Sequence, residues 1–378
     1  MPQPRDTAAA AGIKVAQLRN YIGIASPPRR EPAHGDEPSM RVSLSFEPAW
    51  FHDRCGVVFR EKWHRDPYYR YSTLKRMKAE LLKSFPAAHY WDPDDDVDLG
   101  TINGVYGAFP VPYVIGMSLI FGETRYPTLD PATRFSVEQM ESLDADKVLQ
   151  GPGMEEIFRQ MEIIGKEWGR IHGYLNWQGV LNNGFNLRGP DIFIDMIDKP
   201  ELTTHFFEVI TDIMIRMVRS IQIKQRASGF NANHISIANC VMNMISPEMY
   251  EEKLLQFDTR IADSFEIFGV HTCEWDVTPY LEVLKKLPKV GYLDMGMMSD
   301  MPRVKAEFPD ARRAVLYSAS ALRDKEFSEI TWDMEKIHRE LAPCDVVVPD
   351  IINGTPDKRV NDFIDLCATL SEKELPYE

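Results

Sequence analysis

The sequence is short of several things, and each shortage removes a class of protein. No apolar run approaches the roughly 20 residues a membrane-spanning helix needs; a stretch such as Tyr113 to Phe121 falls far short. There is no N-terminal basic-then-apolar signal pattern, so the chain reads as cytosolic, with no membrane partner. Basic residues are in deficit: Lys and Arg number 43 against 57 Asp and Glu, a net charge of −14. A duplex nucleic-acid binder needs a basic stripe, so no nucleic-acid partner is expected. Cysteine is scarce, with five residues at 55, 240, 273, 344 and 367. An odd, sparse set in a long chain is not a disulfide framework. No Gly-x-Gly-x-x-Gly follows any candidate strand, which argues against a dinucleotide site.

What is present is a globular chain of 378 residues, 44% hydrophobic and able to bury a large core, which excludes a disordered or fibrous protein. Residues 1–40 read as a weakly ordered leader, with a short helix expected near Ile13 to Tyr21 and a Pro-rich, charged stretch from Pro27 to Pro38. Residues 41–378 show no comparable linker and no repeat, and read as one domain. Helical patterns are predicted over Ser72–Ser84, Met154–His172, Pro200–Ala227, Pro247–Phe268, Pro279–Leu287, Thr331–Leu341 and Pro356–Ser371. Asp198-Lys-Pro-Glu, Ser246-Pro-Glu and Thr355-Pro-Asp are helix starts, each with a capping residue or Pro before a first-turn carboxylate. Between the helices lie short apolar runs that read as buried parallel strands: Tyr174–Leu175, His234–Ala238, Gly269–Thr272, Val290–Leu293, Ala314–Tyr317 and Asp345–Pro349. Strand–helix alternation sustained over so long a stretch predicts an α/β fold, a (β/α)8 TIM barrel.

In such a barrel chemistry sits where strands end. That places Asn239 and Cys240 at one exit, His271, Cys273 and Glu274 at the next, then Asp294, then Asp350. His271 and Cys273 are two apart, so on extended chain their side chains share a side. An imidazole beside a thiolate suits Zn²⁺, which takes N and S ligands. The bland alternative is a core His and a buried Cys that happen to alternate. Asp350 leaves its strand at the correct end and is the expected third ligand, with Cys240 or Glu274 behind it; Cys344 precedes the same strand and reads as core. Met295-Gly-Met-Met-Ser-Asp-Met is rich in thioether and reads as packing or as a pocket lining. Asp92-Pro-Asp-Asp-Asp-Val-Asp reads as a solvated loop. Pro48-Ala-Trp-Phe-His-Asp-Arg-Cys-Gly mixes aromatics with His52, Arg54 and Cys55, and could fold over the barrel mouth.

These blocks together resemble the uroporphyrinogen decarboxylase superfamily over roughly residues 45–370. The likeness rests on Pro48-Ala-Trp-Phe, Gly116-Met-Ser-Leu-Ile-Phe with Tyr126-Pro, and Asn182-Asn-Gly-Phe-Asn-Leu-Arg-Gly. Ile237-Ala-Asn-Cys, Ile245-Ser-Pro-Glu-Met-Tyr, Gly269-Val-His-Thr-Cys and Gly354-Thr-Pro-Asp complete it. The superfamily fold is a TIM barrel. Its decarboxylases resemble one another in a cationic motif after the Pro-x-Trp segment, where this chain has Asp53 and Val57, with Arg54 one position off. Their catalytic Asp falls near Asn103-Gly104 here, their Tyr near Phe185, and their late His near Pro349-Asp350. A pocket without those cations repels a polycarboxylate.

The zinc-dependent, corrinoid-linked methyltransferase branch resembles this chain at His271-Thr-Cys273. There the His-x-Cys pair and a later Cys bind zinc, and the zinc activates a thiol; here Pro349-Asp350 stands at the later Cys. A site with one thiolate fewer is a stronger Lewis acid, better suited to an oxygen substrate. The resemblance therefore implies a zinc-dependent methyltransferase or demethylase, with His271, Cys273 and Asp350 as catalytic and metal-binding residues. Asn182, Asn183, Asn239, Cys240 and Asp294 would shape the substrate pocket, and His52 and Cys55 would close it. The methyl group would pass between a small donor or acceptor and a corrinoid carried on a separate protein, since no Asp-x-His-x-x-Gly cobalamin motif is present. A homodimer is implied by the likeness alone. The alternatives are a metal-free, uroporphyrinogen decarboxylase-like carboxy-lyase and a non-catalytic barrel that binds a tetrapyrrole or corrinoid.

Overall fold

The computed structural model describes residues 16–18, 39–90 and 99–372. Its strands are β1 (Ala16–Leu18), β2 (Met40–Phe46), β3 (His89–Tyr90), β4 (Leu119–Ile120), β5 (Thr128–Leu129), β6 (Trp177–Gln178), β7 (His234–Ala238), β8 (Ile267–His271), β9 (Val290–Met295), β10 (Arg312–Leu316) and β11 (Cys344–Ile351). Nine of them form one sheet in the order β3-β1-β2-β11-β10-β9-β8-β7-β6, while β4 and β5 pair as a separate antiparallel hairpin. Every ladder in the large sheet is parallel. Thr101 makes an isolated parallel bridge to His172, just upstream of β6.

The apolar character of the central strands follows from their cover. All five residues of β7 are buried, as are the last four residues of β8, β9 and β10. A strand packed on both faces has no reason to alternate polar residues, so these read as continuous apolar runs. The covering helices present one face each. In the helix Pro200–Ala227, Phe206, Phe207, Ile210, Ile213, Met214, Met217, Val218 and Ile221 are buried at three-, four- and seven-residue spacings. Pro200 opens that helix and Glu201 lies in its first turn, where an N-terminal dipole favours a carboxylate.

Several sequence-based expectations shift. Residues 16–18 form a strand, not part of a helix, and the run from Asp92 to Asp98 lies outside the described residues. The strand expected at Tyr174–Leu175 forms at Trp177–Gln178. The single helix expected over Pro247–Phe268 is two, Pro247–Lys253 and Leu255–Asp263, because Leu254 interrupts the turn. Helices Val180–Arg188 and Asp191–Asp198 were not anticipated. Neither was β2, although Met40-Arg-Val-Ser-Leu-Ser-Phe alternates apolar and polar residues as a strand with one buried face does. Met295 is core, but Met298 is 80% exposed, so the thioether run is only in part packing.

The neighbouring strands approach β8 closely at Gly269. A Cβ there would lie 2.0 Å from Ser236 Oγ on β7 and 3.3 Å from Tyr292 Cβ on β9. Gly269→Ala is therefore expected to wedge β8 against both neighbours and to destabilise by about 1–3 kcal/mol, as overpacking usually does. Thermal unfolding checks this; an unchanged Tm would show that the strands have slack.

Candidate metal centre

Strand β7 ends at Ala238 and β8 at His271, and these two residues are register partners. Beyond β7 the chain turns into a short 3-10 helix, Cys240–Met244. Beyond β8 it passes Thr272 and bends at Cys273, whose φ of 62° is left-handed. That conformation is unfavourable for a residue with a Cβ. It turns the sulfur back toward its neighbours, so the His-x-Cys pair meets through a bend, not through extended chain. Gly296 makes room for the bend: a Cβ there would fall 1.9 Å from Glu274 O.

Three donor atoms converge as a result. Cys240, His271 and Cys273 offer ligand atoms all within 4.8 Å of one another. Cys273 Sγ donates to Cys240 Sγ at 2.6 Å and lies 3.2 Å from His271 Nε2. The imidazole is aimed by Asp294, fully buried, whose Oδ2 lies 2.6 Å from His271 Nδ1. Asp294 is itself held by Thr272 N at 2.7 Å and Tyr292 Oη at 2.7 Å. A carboxylate on one ring nitrogen leaves the other free to face a metal, which is the usual outer arrangement of a ligating histidine.

Electrostatics agree with a cation-binding role. The hydrogen bond from Cys273 and the nearby His271 outweigh burial and bring Cys240 down to about 5, while Cys273 is raised by the same bond. Burial acts to lower His271, but Asp294 and Cys240 outweigh it and raise the ring to about 10. Two sulfurs and one imidazole are a donor set that fits Zn²⁺.

The expected residues divide into groups. His271, Cys273 and Cys240 come together, so the third member of the cluster is Cys240, not Asp350 or Glu274. Asp350 sits in a bulge of β11, between register partners Val348 and Ile351, with φ 53°. The bulge turns its carboxyl onto Tyr126 Oη. Burial, with the charges of Glu47 and Glu274, pushes Asp350 up to about 6 against the pull of that hydrogen bond. Glu274 is exposed. Asp294 supports the histidine instead of lining a pocket.

Asn182, Asn183 and Asn239 are 3%, 0% and 3% exposed. Their bonds are internal: Asn182 Oδ1 accepts from Val241 N, Asn183 Nδ2 donates to Gln178 O, and Asn239 Nδ2 donates to Asp258 Oδ2. His52 and Cys55 bond to Val57 O and Phe51 O within their own segment, and neither joins the cluster. Cys344 is buried at the start of β11, as expected of a core residue. Sequence reasoning missed Asp258 and Tyr250. The signal was available in principle, since an acidic residue on the apolar face of a helix needs a buried partner.

Asp258 accepts from Tyr250 Oη at 2.7 Å and from Asn239 at 2.8 Å through Oδ2, and Oδ1 has no partner. Burial dominates these bonds and raises it to about 6. A carboxyl whose folded value lies above its unfolded one stabilises fully only at low pH, and that stability is lost as pH rises through about 6. Asp258→Asn keeps an acceptor for both donors and removes the ionisation. The variant is expected to gain about 3 kcal/mol over the parent at pH 8 and little at pH 4. Denaturant melts at the two pH values measure this; an equal effect at both would show that ionisation plays no part.

No helix among the described residues is long and apolar enough to cross a membrane. No protein-family model matches the sequence, and no curated protein matches it. Among solved structures, a methyltransferase from Methanosarcina mazei superposes with a TM-score of 0.61 at 15% identity, over 91% of this chain and 95% of that one. A second structure, described as a vitamin-B12 independent methionine synthase from Listeria monocytogenes, has a TM-score of 0.42 at 10% identity over 91% and 98% of the two chains, too distant to carry an argument. The first likeness establishes that this chain has the fold of that methyltransferase.

Proposed function

We propose that the chain is a zinc-dependent methyltransferase or demethylase that moves a methyl group between a small substrate and a corrinoid held on a separate protein, and that its sheet closes into a (β/α)8 barrel around the site. The observation that carries this reading is the convergence of Cys240, His271 and Cys273 at adjacent strand exits, with Asp294 behind the imidazole. The shared fold with a solved methyltransferase supports it.

Cys240 in the set removes the reason to expect an oxygen substrate. Two thiolates donate more charge than one thiolate and a carboxylate, so the bound ion is a softer and weaker Lewis acid, which favours a thiol substrate. Bound zinc would supply a low-pKa position at which a thiol is held as its thiolate. The chain's own residues would do the rest: Asp294 fixes the ring of His271, and the Cys273 bend and Cys240 turn hold the sulfurs. Asp350, at the end of β11, bonds to Tyr126 on the loop before β5 and is not a member of the cluster.

The decarboxylase alternative needs cations near residues 53–57. Arg54 is committed to Asp357 through two bonds of 2.5 and 2.7 Å and lies over Trp50. The test is direct. Protein loaded with zinc is mixed with methylcobalamin and a small thiol such as 2-mercaptoethanol, and loss of the methylcobalamin spectrum is followed. Zinc-dependent demethylation above the protein-free rate is expected; protein that binds no zinc overturns the reading.

A further inference from the structure

The turn that carries Cys240 is short of a cap. The first N–H groups of a helix lack internal partners, and the residue in the capping position, Asn239, makes no side-chain cap bond; its amide is turned so that Nδ2 donates to Asp258. The Val241 N–H is instead taken by Asn182 Oδ1 at 3.0 Å, from a helix 59 residues earlier in the sequence. Asn182 is itself one link of a buried amide chain. Its Nδ2 donates to Gln178 Oε1 at 2.7 Å, and Gln178 Nε2 donates to Asn176 Oδ1 at 2.8 Å. All three side chains are at most 7% exposed. Buried amides are unfavourable unless each is satisfied, and satisfied ones specify a single arrangement. At its Asn182 end this chain of amides meets a backbone N–H next to Cys240.

We propose that Asn182 is a positioning residue for the metal centre: backed by Gln178 and Asn176, it fixes the Cys240–Val241 turn so that the Cys240 sulfur reaches His271 and Cys273. This rests on the metal-centre reading above. Asn183, its neighbour in sequence, bonds to Gln178 O and Met214 Sδ and does not touch the turn, so it serves as a control.

The experiment uses the full chain stripped of metal. Each variant is first checked for fold by circular dichroism and thermal melting. It is then titrated with Co²⁺, whose sulfur-to-cobalt absorbance reports the number of thiolate ligands, and with Zn²⁺ in competition with a chromophoric chelator. Asn182→Ala is expected to weaken zinc binding about 10–100-fold, the range for losing an outer partner, and to bring the cobalt absorbance down toward one sulfur. Gln178→Ala is expected to do the same more weakly. Asn183→Ala is expected to lower Tm while leaving both metal readouts at the parent value.

Asn182→Asp retains an oxygen for Val241 N; Gln178 turns its amide to donate to the other oxygen, and Asn176 turns with it so that its Nδ2 meets Gln178 Oε1. It is expected to keep the two-sulfur absorbance, and it decides the matter if Asn182→Ala fails to fold; loss of one sulfur in folded Asn182→Asp overturns the proposal. Folded Asn182→Ala with the parent's affinity and absorbance also overturns it. Parent protein with no sulfur-to-cobalt absorbance would instead remove the metal centre itself, and this proposal with it.

Discussion

Cys240→Ala is expected to empty the metal centre, whereas Asp350→Ala leaves it filled. The two substitutions separate the ligand set the strands assemble from the one that strand-exit position alone would favour. In the structure the Cys240 sulfur lies within hydrogen-bonding distance of Cys273, and both lie within 4.8 Å of the imidazole nitrogen. Removing a ligand should weaken zinc binding by more than the roughly 10–100-fold that follows loss of an outer partner. Asp350 bonds to Tyr126 on the loop before β5 and reaches no member of the cluster. Metal content after dialysis, with zinc competition for the two variants, reads the difference. Zinc retained by Cys240→Ala and lost by Asp350→Ala would reverse the assignment.

The second large effect is expected at Asp294. Three donors point at its carboxylate: His271 Nδ1, Tyr292 Oη and Thr272 N. The residue is fully buried, so no water can replace a lost acceptor. Asp294→Asn puts an amide N–H₂ against one side of this arrangement, where it meets a donor. Either Thr272 N–H or the Tyr292 and His271 pair is left facing it. An unsatisfied buried group of this kind costs about 1–3 kcal/mol. The imidazole also loses the charge that holds its ring, so zinc affinity should fall about 10–100-fold. Denaturant unfolding and chelator competition test the two halves separately. A variant with lowered stability but unchanged affinity would make Asp294 a packing residue only.

Much of the architecture was legible because it depends on local pattern. Pro200 through Ala227 shows helical spacing with Pro at its start, and the helix runs between those residues. His234–Ala238 is a short apolar run, and it is β7 with the same ends. The strand-exit rule placed Cys240, His271, Cys273 and Asp294 near one another, since parallel strands deliver their exits to one end of a sheet. β2 carries a different signal, the strict alternation of Met40, Val42, Leu44 and Phe46 with Arg41, Ser43 and Ser45, which a search for continuous apolar runs passes over.

What the sequence by itself determined is therefore the type of most of the central strands and helices, the end of the sheet that carries the polar groups, and the nearness of His271 to Cys273, two residues apart. Only the tertiary structure decided the third donor, which is a second sulfur. Cys240 and Cys273 are separated by 33 residues, and no spacing rule links them; the β7–β8 ladder does, by setting Ala238 opposite His271. Asp350 was displaced by a matching cause, one extra residue in β11 that twists its carboxyl out of line toward Tyr126. Register and bulges arise from contacts between strands, so a single strand's residues do not contain them.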